Sequence, residues 1–559
     1  MPDTLPTVEA VLPPAAAARL PALLRKPLEV LRLYPAHDYT VAGAFASRLQ
    51  AHADKAFHIH DGRTRTWREF DGDINRCTAF LAGRGIKKGD RFGIVARNHP
   101  VHVLLLFALA RLGAVMVPVN PEFGVTETGY VLEHAQLSGL ACDAAALATM
   151  RAACAERKIA PWMVLIDAPA EGAADAPPLL SGLLAQMEGK PAPPVQGRAD
   201  DTVVIIYTSG TTGFPKGAMH SQRSFVLGGE AFVERMYVQP EDRLMIVLPM
   251  FHMNALFYSV AGTLAAGATM VIVPRFSASA FWQQAASSGA TVVNIIEAAC
   301  NILKARPRSE FNDAHRLRCA YGVRHSAWQA FREEFGIPYF VSGYGMTEIP
   351  GVTCSPYEGL QKPGTMGPVG RHPDPAVAWA QCRVVDDAGN DVADGVAGEM
   401  IVRTPIVTQG YFHDPEQTAA AFRDGWFLTG DLVTRDGDGY YTFVSRKKDI
   451  IRRRGENIAG AELDRVIGQH PDVAEAAAIA VPAELGEDEI LAVVVAKPGT
   501  APTARDIADW CAKHLAPMKV PRYVLFAESL PHTPTQKIQK NILRADATLK
   551  ARATDLARS

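Results

Sequence analysis

Residues 92–119 read FGIVARNHPVHVLLLFALARLGAVMVPV. A short apolar run is followed by a polar break, then by twelve residues that are apolar almost all round, then by Gly113 and a second apolar run. The pattern predicts a strand over 92–95, a helix over 101–112 and a strand over 114–119. Short apolar runs bounded by turn residues suit strands covered on both faces. Strand, helix and strand in that order argue for parallel sheets with helices on their faces. The segment is the most hydrophobic in the chain, but Arg111 and Gly113 interrupt it, so a buried helix running into a buried strand explains it without a membrane.

The same texture spreads in both directions. Residues 160–166, 201–207, 244–248, 270–273 and 292–296 repeat the buried-strand pattern, and 171–198, rich in Ala, Pro and Gly, predicts a surface connection. Upstream, 15–31 is apolar with Arg19, Arg25 and Lys26 interspersed. Pro21 and Pro27 break it into short packed surface elements. From 377 to 441 strands shorten and turns fill with Asp and Gly, as in DDAGND and RDGDGYY, which predicts a small antiparallel or barrel-like section. After Ser445 comes the charged run RKKDIIRRRGEN, then helices over 461–469 and 504–514 and strands over 476–481 and 491–495.

Composition narrows the class. The 559 residues are enough for three to four domains, with 48% hydrophobic and 21% charged residues, as in soluble globular proteins. A formal net charge of -2 provides no global field for nucleic acid or anionic membrane. Eight scattered cysteines, none in a C-x-x-C pair, predict reduced thiols in a cytoplasmic protein rather than disulfides or a zinc site. The opening residues lack the basic-then-apolar order of a secretory signal.

The chemistry concentrates in residues 207–221, YTSGTTGFPKGAMHS. A buried strand delivers the chain into a loop of hydroxyls and glycines ending in a lysine. The hydroxyls of Thr208, Ser209, Thr211 and Thr212 and backbone N–H groups can donate to phosphate oxygens. Gly210 and Gly213 let backbone wrap an anion closely, and Lys216 adds a point charge. The lysine spacing differs from that of a Walker A loop.

This loop resembles the phosphate loop of the acyl-adenylate-forming superfamily of acyl-CoA synthetases, peptide-synthetase adenylation domains and luciferases. Further blocks follow in the family's order: GYGMTE (343–348), GEMIVR (398–403), GWFLTGD (425–431), SRKKDIIRRRGENIAGAELD (445–464) and PHTPTQKIQK (531–540). The resemblance implies an α/β protein. Its large N-terminal domain, residues 1–447, would hold two doubly wound sheets plus a small β-barrel; a mobile C-terminal α+β lid would span 448–559. It also implies ATP, Mg²⁺ and coenzyme A as cofactors and co-substrates, and a small carboxylic acid as substrate. Within that superfamily, Tyr344 stacks on adenine, backbone near Gly322 lines the base with Gly343 and Gly345, and Thr347 contacts the α-phosphate. Glu348 holds the metal, while Asp431 and Arg446 take the ribose. Lys537 is the catalytic lysine, with Lys540 a competitor. Lys448 is the hinge. Gly455 and Arg454 face coenzyme A, the run 452–454 meeting its phosphate or forming a solvated turn. His252 is the gate residue, and Asn254, Ala255, Ile296, Glu297, Gly345 and Met346 line the acyl pocket.

Glu297 is unusual, since the family commonly has proline in that region. Taken as a buried carboxylate, it pairs with Arg324 or His325, or else faces a cationic tail such as a carnitine-like betaine. The resulting expectation is an AMP-forming acyl-CoA synthetase acting on a medium- or long-chain, aromatic or carnitine-like acid. Delivery to a carrier protein, luciferase-like oxygenation and a non-catalytic acyl- or nucleotide-binding role are the alternatives. No carrier with a serine attachment motif follows Lys540. The oligomeric state is left open, a homodimer included.

Overall fold

The computed structural model describes residues 12–20, 24–168, 175–208, 215–323, 325–453, 456–483, 488–532 and 538–557. It divides into two compact units: Met1–Gln381 with Arg403–Phe427, and Cys382–Val402 with Leu428–Ser559. Lys448 falls inside the second.

The stretch at 92–119 forms the strand Arg91–Val95, the helix Val101–Leu112 and the strand Val115–Val119, the two strands parallel and in contact. They are central in a six-stranded sheet of order Trp162–Leu165, Gly139–Cys142, Arg91–Val95, Val115–Val119, Thr202–Thr208, Lys216–Ser221. All pairs are parallel except the last, an antiparallel hairpin. A second, seven-stranded sheet runs Tyr339–Val341, Cys319–Tyr321, Val292–Asn294, Arg243–Ile246, Thr269–Ile272, Ala56–His60, Arg63–Thr66, again parallel but for its edge hairpin. Helices Val101–Leu112 and Gln222–Met236 are buried on nearly all sides. They share one core with Phe57, Trp67, Phe92 and Leu244 of both sheets' surroundings. A helix apolar all round has no solvent face to offer, so it must lie inside.

Asn98, just past the strand Arg91–Val95 and 4% exposed, ties the two sheets together. Its Nδ2 donates to the Leu248 and Val273 carbonyls, both at 3.0 Å, and its Oδ1 accepts from Met250 N–H at 2.8 Å. Every capacity of the buried amide that matters is filled, so the strand ends of both sheets are held in one arrangement. The segment at 15–31 is indeed short pieces, helices Pro14–Ala17 and Pro27–Leu31, the second anchored by fully buried Val30.

The Asp- and Gly-rich section is a sheet of Gln381–Val385, Gly398–Arg403, Trp426–Arg435 and Tyr441–Arg446, with Phe422–Arg423 on an edge. No pair among the described strands closes it into a barrel. Downstream, strands Val473–Pro482, Asp488–Ala496, Tyr523–Phe526 and Thr554–Asp555 form a mixed sheet with the helices Gly460–Gly468 and Ala504–His514. One core around Leu463 and Ile507 and another around Leu491 and Leu530 complete an α+β unit.

Candidate functional site

Thr208 ends one hairpin strand and Lys216 begins the next; the two are cross-strand partners. Thr208 Oγ1 approaches the Lys216 carbonyl at 3.5 Å. Both ends of the phosphate-loop segment are therefore fixed by sheet pairing. Ser209, Gly210, Thr211, Thr212 and Gly213 lie outside the described residues. The Lys216 ammonium sits 5.2 Å from the centroid of the Tyr411 ring. Tyr411 comes from another segment, locked on by the Phe412 N–H donating to the Gly217 carbonyl at 2.8 Å. A cleft of about 100 Å³ opens here, lined by Tyr130, His134, Lys216, Tyr411, Asp414 and Gln417 among others.

The Tyr411 hydroxyl donates to Glu348 Oε1 at 2.8 Å. Burial, and then Glu348, push its pKa well up, so the phenol stays protonated and keeps donating. Glu348 is 6% exposed. It belongs with Thr347 to a two-residue turn, because Met346 pairs with Ile349 across the hairpin Gly343–Met346/Ile349–Cys354. Both turn carbonyls are anchored. Glu348 O accepts from Thr408 N–H at 2.7 Å, and Thr347 O is 2.7 Å from His220 Nε2. Burial drives the His220 pKa down to about 4, so the ring is neutral at pH 7 and its Nε2–H is the donor to that carbonyl. Lys216, Tyr411, Glu348 and Thr347 thus form one linked group, with a cation, a hydroxyl and a carboxylate placed by three separate chain segments. Tyr411 carries no sequence signal of its own, and His220, though inside the quoted stretch 207–221, has none for its partner; only the fold brings them to Glu348 and Thr347.

A metal fits the donor set in one way. No group of three or more His, Cys, Asp or Glu side chains among the described residues could hold an ion. One buried carboxylate beside a cation and a phosphate loop suits Mg²⁺, a hard ion usually held by one or two carboxylates together with substrate phosphates and water.

The residues expected to meet the base and the acyl group lie at the carboxyl ends of the seven-stranded sheet, where open α/β sheets bind ligands. Gly322 has φ +86°, and a Cβ there would come 2.1 Å from the Ile295 carbonyl oxygen. Only glycine fits between these two strands. Gly343 leaves room for the Tyr321 hydroxyl, 3.2 Å from where its Cβ would stand. The Tyr344 hydroxyl faces Met346 Sδ at 3.9 Å. The His252 ring packs on Phe251, with centroids 4.4 Å apart. Asn254 opens a seven-residue π-helix, Asn254–Val260, a rare element found disproportionately at functional sites. Its Oδ1 accepts from Asn294 Nδ2 at 3.2 Å.

Glu297 departs from expectation. It is exposed, at the first position of the helix Glu297–Ala305, and neighbouring Ile296 is 38% exposed. An acid at a helix N-terminus is favoured by the backbone dipole without any buried partner. The carboxylate is thus exposed rather than buried, and Arg324, one of its two suggested partners, lies outside the described residues.

In the second unit, Asp431 is 3% exposed and stands opposite Arg446 across the strand pair, with Nε 3.4 Å from Oδ1. The Asp431 N–H donates to Thr429 Oγ1 at 3.1 Å, which stiffens the GWFLTGD segment. Lys448 is in the short helix Lys447–Asp449, its carbonyl 3.4 Å from Arg544 Nη1. Two basic residues turn out to be structural. Lys540 pairs with Asp464 at 2.6 Å and donates to the Ala478 carbonyl at 2.9 Å, its side chain 10% exposed. Arg453 donates to the Met518 and Val520 carbonyls and pairs with Glu489 at 2.8 Å, so it is not free for a coenzyme phosphate. Arg454, Gly455 and Lys537 lie outside the described residues.

Comparison with known proteins agrees with this layout. Residues 45–412 match the model of the AMP-binding enzyme family, and 462–537 match that of the AMP-binding enzyme C-terminal domain. An indoleacetate–CoA ligase of Aromatoleum aromaticum is 31% identical over 492 residues, 86% of this chain and 93% of that protein. A long-chain-fatty-acid–CoA ligase, FadD13, of Mycobacterium tuberculosis is 29% identical, covering 89% of this chain and 95% of its own. The crystal structure of ATP-bound MatB from Rhodopseudomonas palustris superposes with a TM-score of 0.78 at 28% identity, over 90% of this chain and 98% of that one. With Thr208 and Lys216 paired across a hairpin, a buried Glu348 linked to it through Tyr411, and a family match across most of its length, the chain belongs to the AMP-binding enzyme family.

Proposed function

We propose that this enzyme joins a carboxylic acid to coenzyme A in two steps. The acid's oxygen attacks the α-phosphorus of ATP, forming acyl-AMP as pyrophosphate leaves. The thiol of coenzyme A then attacks the acyl carbonyl, forming the thioester as AMP leaves. The observation that carries the reading is the Lys216–Tyr411–Glu348 group beside a loop whose ends are pinned. Two anions must meet, and fixed positive charge lowers that barrier most. Lys216 and the loop hydroxyls would hold the phosphates. Glu348, steadied by Tyr411, would hold Mg²⁺, which supplies Lewis-acid polarisation of the phosphate oxygens. Asp431 and Arg446 would take the ribose, Tyr344 the adenine, and Lys537 the reacting carboxylate and α-phosphate. Occupation of Lys540 by Asp464 supports Lys537 in that role. Lys448 would serve as the hinge between half-reactions, and Gly455 would adjoin the pantetheine arm.

The named acids of the relatives, indoleacetate and long-chain fatty acids, differ too much in their tails to fix the acid here. Glu297 is exposed, so a carnitine-like acid belongs in the test panel alongside them. Pyrophosphate release from Mg²⁺-ATP, measured with a panel of acids with and without coenzyme A, tests the reading. At least one acid must drive release, with thioester appearing only when coenzyme A is present. Absence of release with every acid refutes it.

A further inference from the structure

Arg235 lies near the end of the helix Gln222–Met236 and is 5% exposed. Its Nη2 donates to the Gly351 carbonyl at 2.9 Å, while among the described residues Nε and Nη1 have no nitrogen or oxygen partner, the Cys354 sulfur lying beside the guanidinium. The guanidinium carbon stands 5.0 Å from the Tyr258 ring centroid and 5.8 Å from that of Tyr321. Cys354 is its other neighbour, and burial keeps that thiol protonated. No carboxylate pairs with Arg235 among the described residues, in contrast to Arg318, the other large buried guanidinium of this region. Arg318 has Asp242, the Tyr357 hydroxyl and the Tyr237 carbonyl around it, every nitrogen engaged. A buried cation without a counter-ion is costly and is retained where something supplies the missing charge.

The surroundings point to a ligand. Tyr321 is the register partner of Asn294 in the adjoining parallel strand. Asn294, 3% exposed, gives its Nδ2 to Asn254 Oδ1 and to Ser259 Oγ at 3.0 Å, and its Oδ1 has no partner. Tyr258 and Ser259 are both on the π-helix that begins at Asn254. Among the described residues, two buried polar groups with open capacity, the Asn294 amide oxygen and the Arg235 guanidinium, are thus connected through Tyr321 and the π-helix at the carboxyl ends of these strands.

We propose that the acid activated here carries a second anionic group, a carboxylate or sulfonate on its tail, and that Arg235 receives it. This rests on the ligase reading above and supplies its substrate class. A planar guanidinium with two nitrogens lacking a nitrogen or oxygen partner among the described residues suits a carboxylate better than any neutral tail.

The experiment compares succinate, glutarate, adipate and 3-sulfopropionate with the monomethyl esters of the three diacids, which keep shape but lose the distal charge. Plain alkanoates and phenylacetate are run alongside, all by pyrophosphate release with the full-length enzyme. For the diacid of fitting length, kcat/KM is expected to exceed that of its half-ester by about 10- to 100-fold, the worth of a charge-assisted hydrogen-bonded pair. In Arg235→Gln that ratio falls to about one. If wild type uses half-esters or alkanoates as well as every diacid, the proposal is overturned and the ligase reading stands. If no acid at all releases pyrophosphate, the ligase reading fails and takes the proposal with it. Should Arg235→Gln not fold, the wild-type ratio alone decides.

Discussion

Replacing Tyr411 by phenylalanine isolates one hydroxyl. The ring stays, so its burial and its contact with the Lys216 ammonium at 5.2 Å are kept, and the cation–π contribution of about 0.5–1 kcal/mol is unchanged. What goes is the 2.8 Å hydrogen bond to Glu348 Oε1. A hydrogen bond to a charged group contributes about 1.5–3 kcal/mol, and Glu348 at 6% exposure has little water to replace it. If Glu348 holds the metal, that energy appears as lost orientation of the metal–phosphate complex. The expected result is a fall of about 10- to 150-fold in kcat/KM for ATP, at about 1.4 kcal/mol per tenfold, and a shift to higher Mg²⁺ concentration for half-maximal rate. Initial pyrophosphate-release rates over a Mg²⁺ series measure both, and a melting curve reports the stability cost separately. A Tyr411→Phe enzyme with wild-type Mg²⁺ dependence and kcat/KM within twofold would show that the hydroxyl does not act through Glu348.

Four further outcomes are expected. Lys540→Met should lower stability by about 2–4 kcal/mol by stranding Asp464, with Asp464→Leu added to it recovering most of the loss in urea melts; Lys537→Ala, on the proposed reading, should abolish acyl-AMP formation while supplied acyl-AMP is still converted to thioester. His220 has a folded pKa of about 4 against an ordinary 6.5, so the unfolded chain binds the extra proton and stability falls as pH drops from 6.5 towards 4, by about 1.4 kcal/mol per unit. His220→Gln, which can still donate to the Thr347 carbonyl, should lose about 1.4 kcal/mol less than wild type between pH 7.5 and 5.5 in urea titrations. Gly322→Ala must place its Cβ 2.1 Å from the Ile295 oxygen at φ +86°; a drop of at least about 2 kcal/mol in the same assay is expected, and a wild-type melt would contradict the strand spacing.

Much of this layout was legible in sequence because its signals are local. The helix Val101–Leu112 was bounded correctly, since a polar break precedes it and Gly113, at φ +69°, ends it. Strands were placed to within a residue or two where apolar runs met turn residues, as at Thr202–Thr208. The motif residues Lys216, Thr347 and Glu348 were found through resemblance, and the fold links them. What could not be read was whatever depends on contacts between distant segments. Tyr411 and His220 reach the site only through sheet pairing and helix packing. An acid after an apolar run, such as Glu297, reads as buried, whereas the strand Val292–Asn294 ends early and Glu297 is an exposed residue opening the next helix. Lys540 and Arg453 looked available because basic residues in charged runs usually are, and only the tertiary structure assigns them partners.

Lys216 belongs to a strand, not to the loop it serves. The loop can therefore drift in length and composition between Thr208 and Pro215 while the charge keeps its mounting, because the pairing of Thr208 with Lys216 sets the distance between the two anchor points. A graft of another family member's loop into this hairpin would test grip on the phosphates alone, with the cation as a constant. Divergence in this enzyme could proceed the same way, one part being remodelled while the other stays in register.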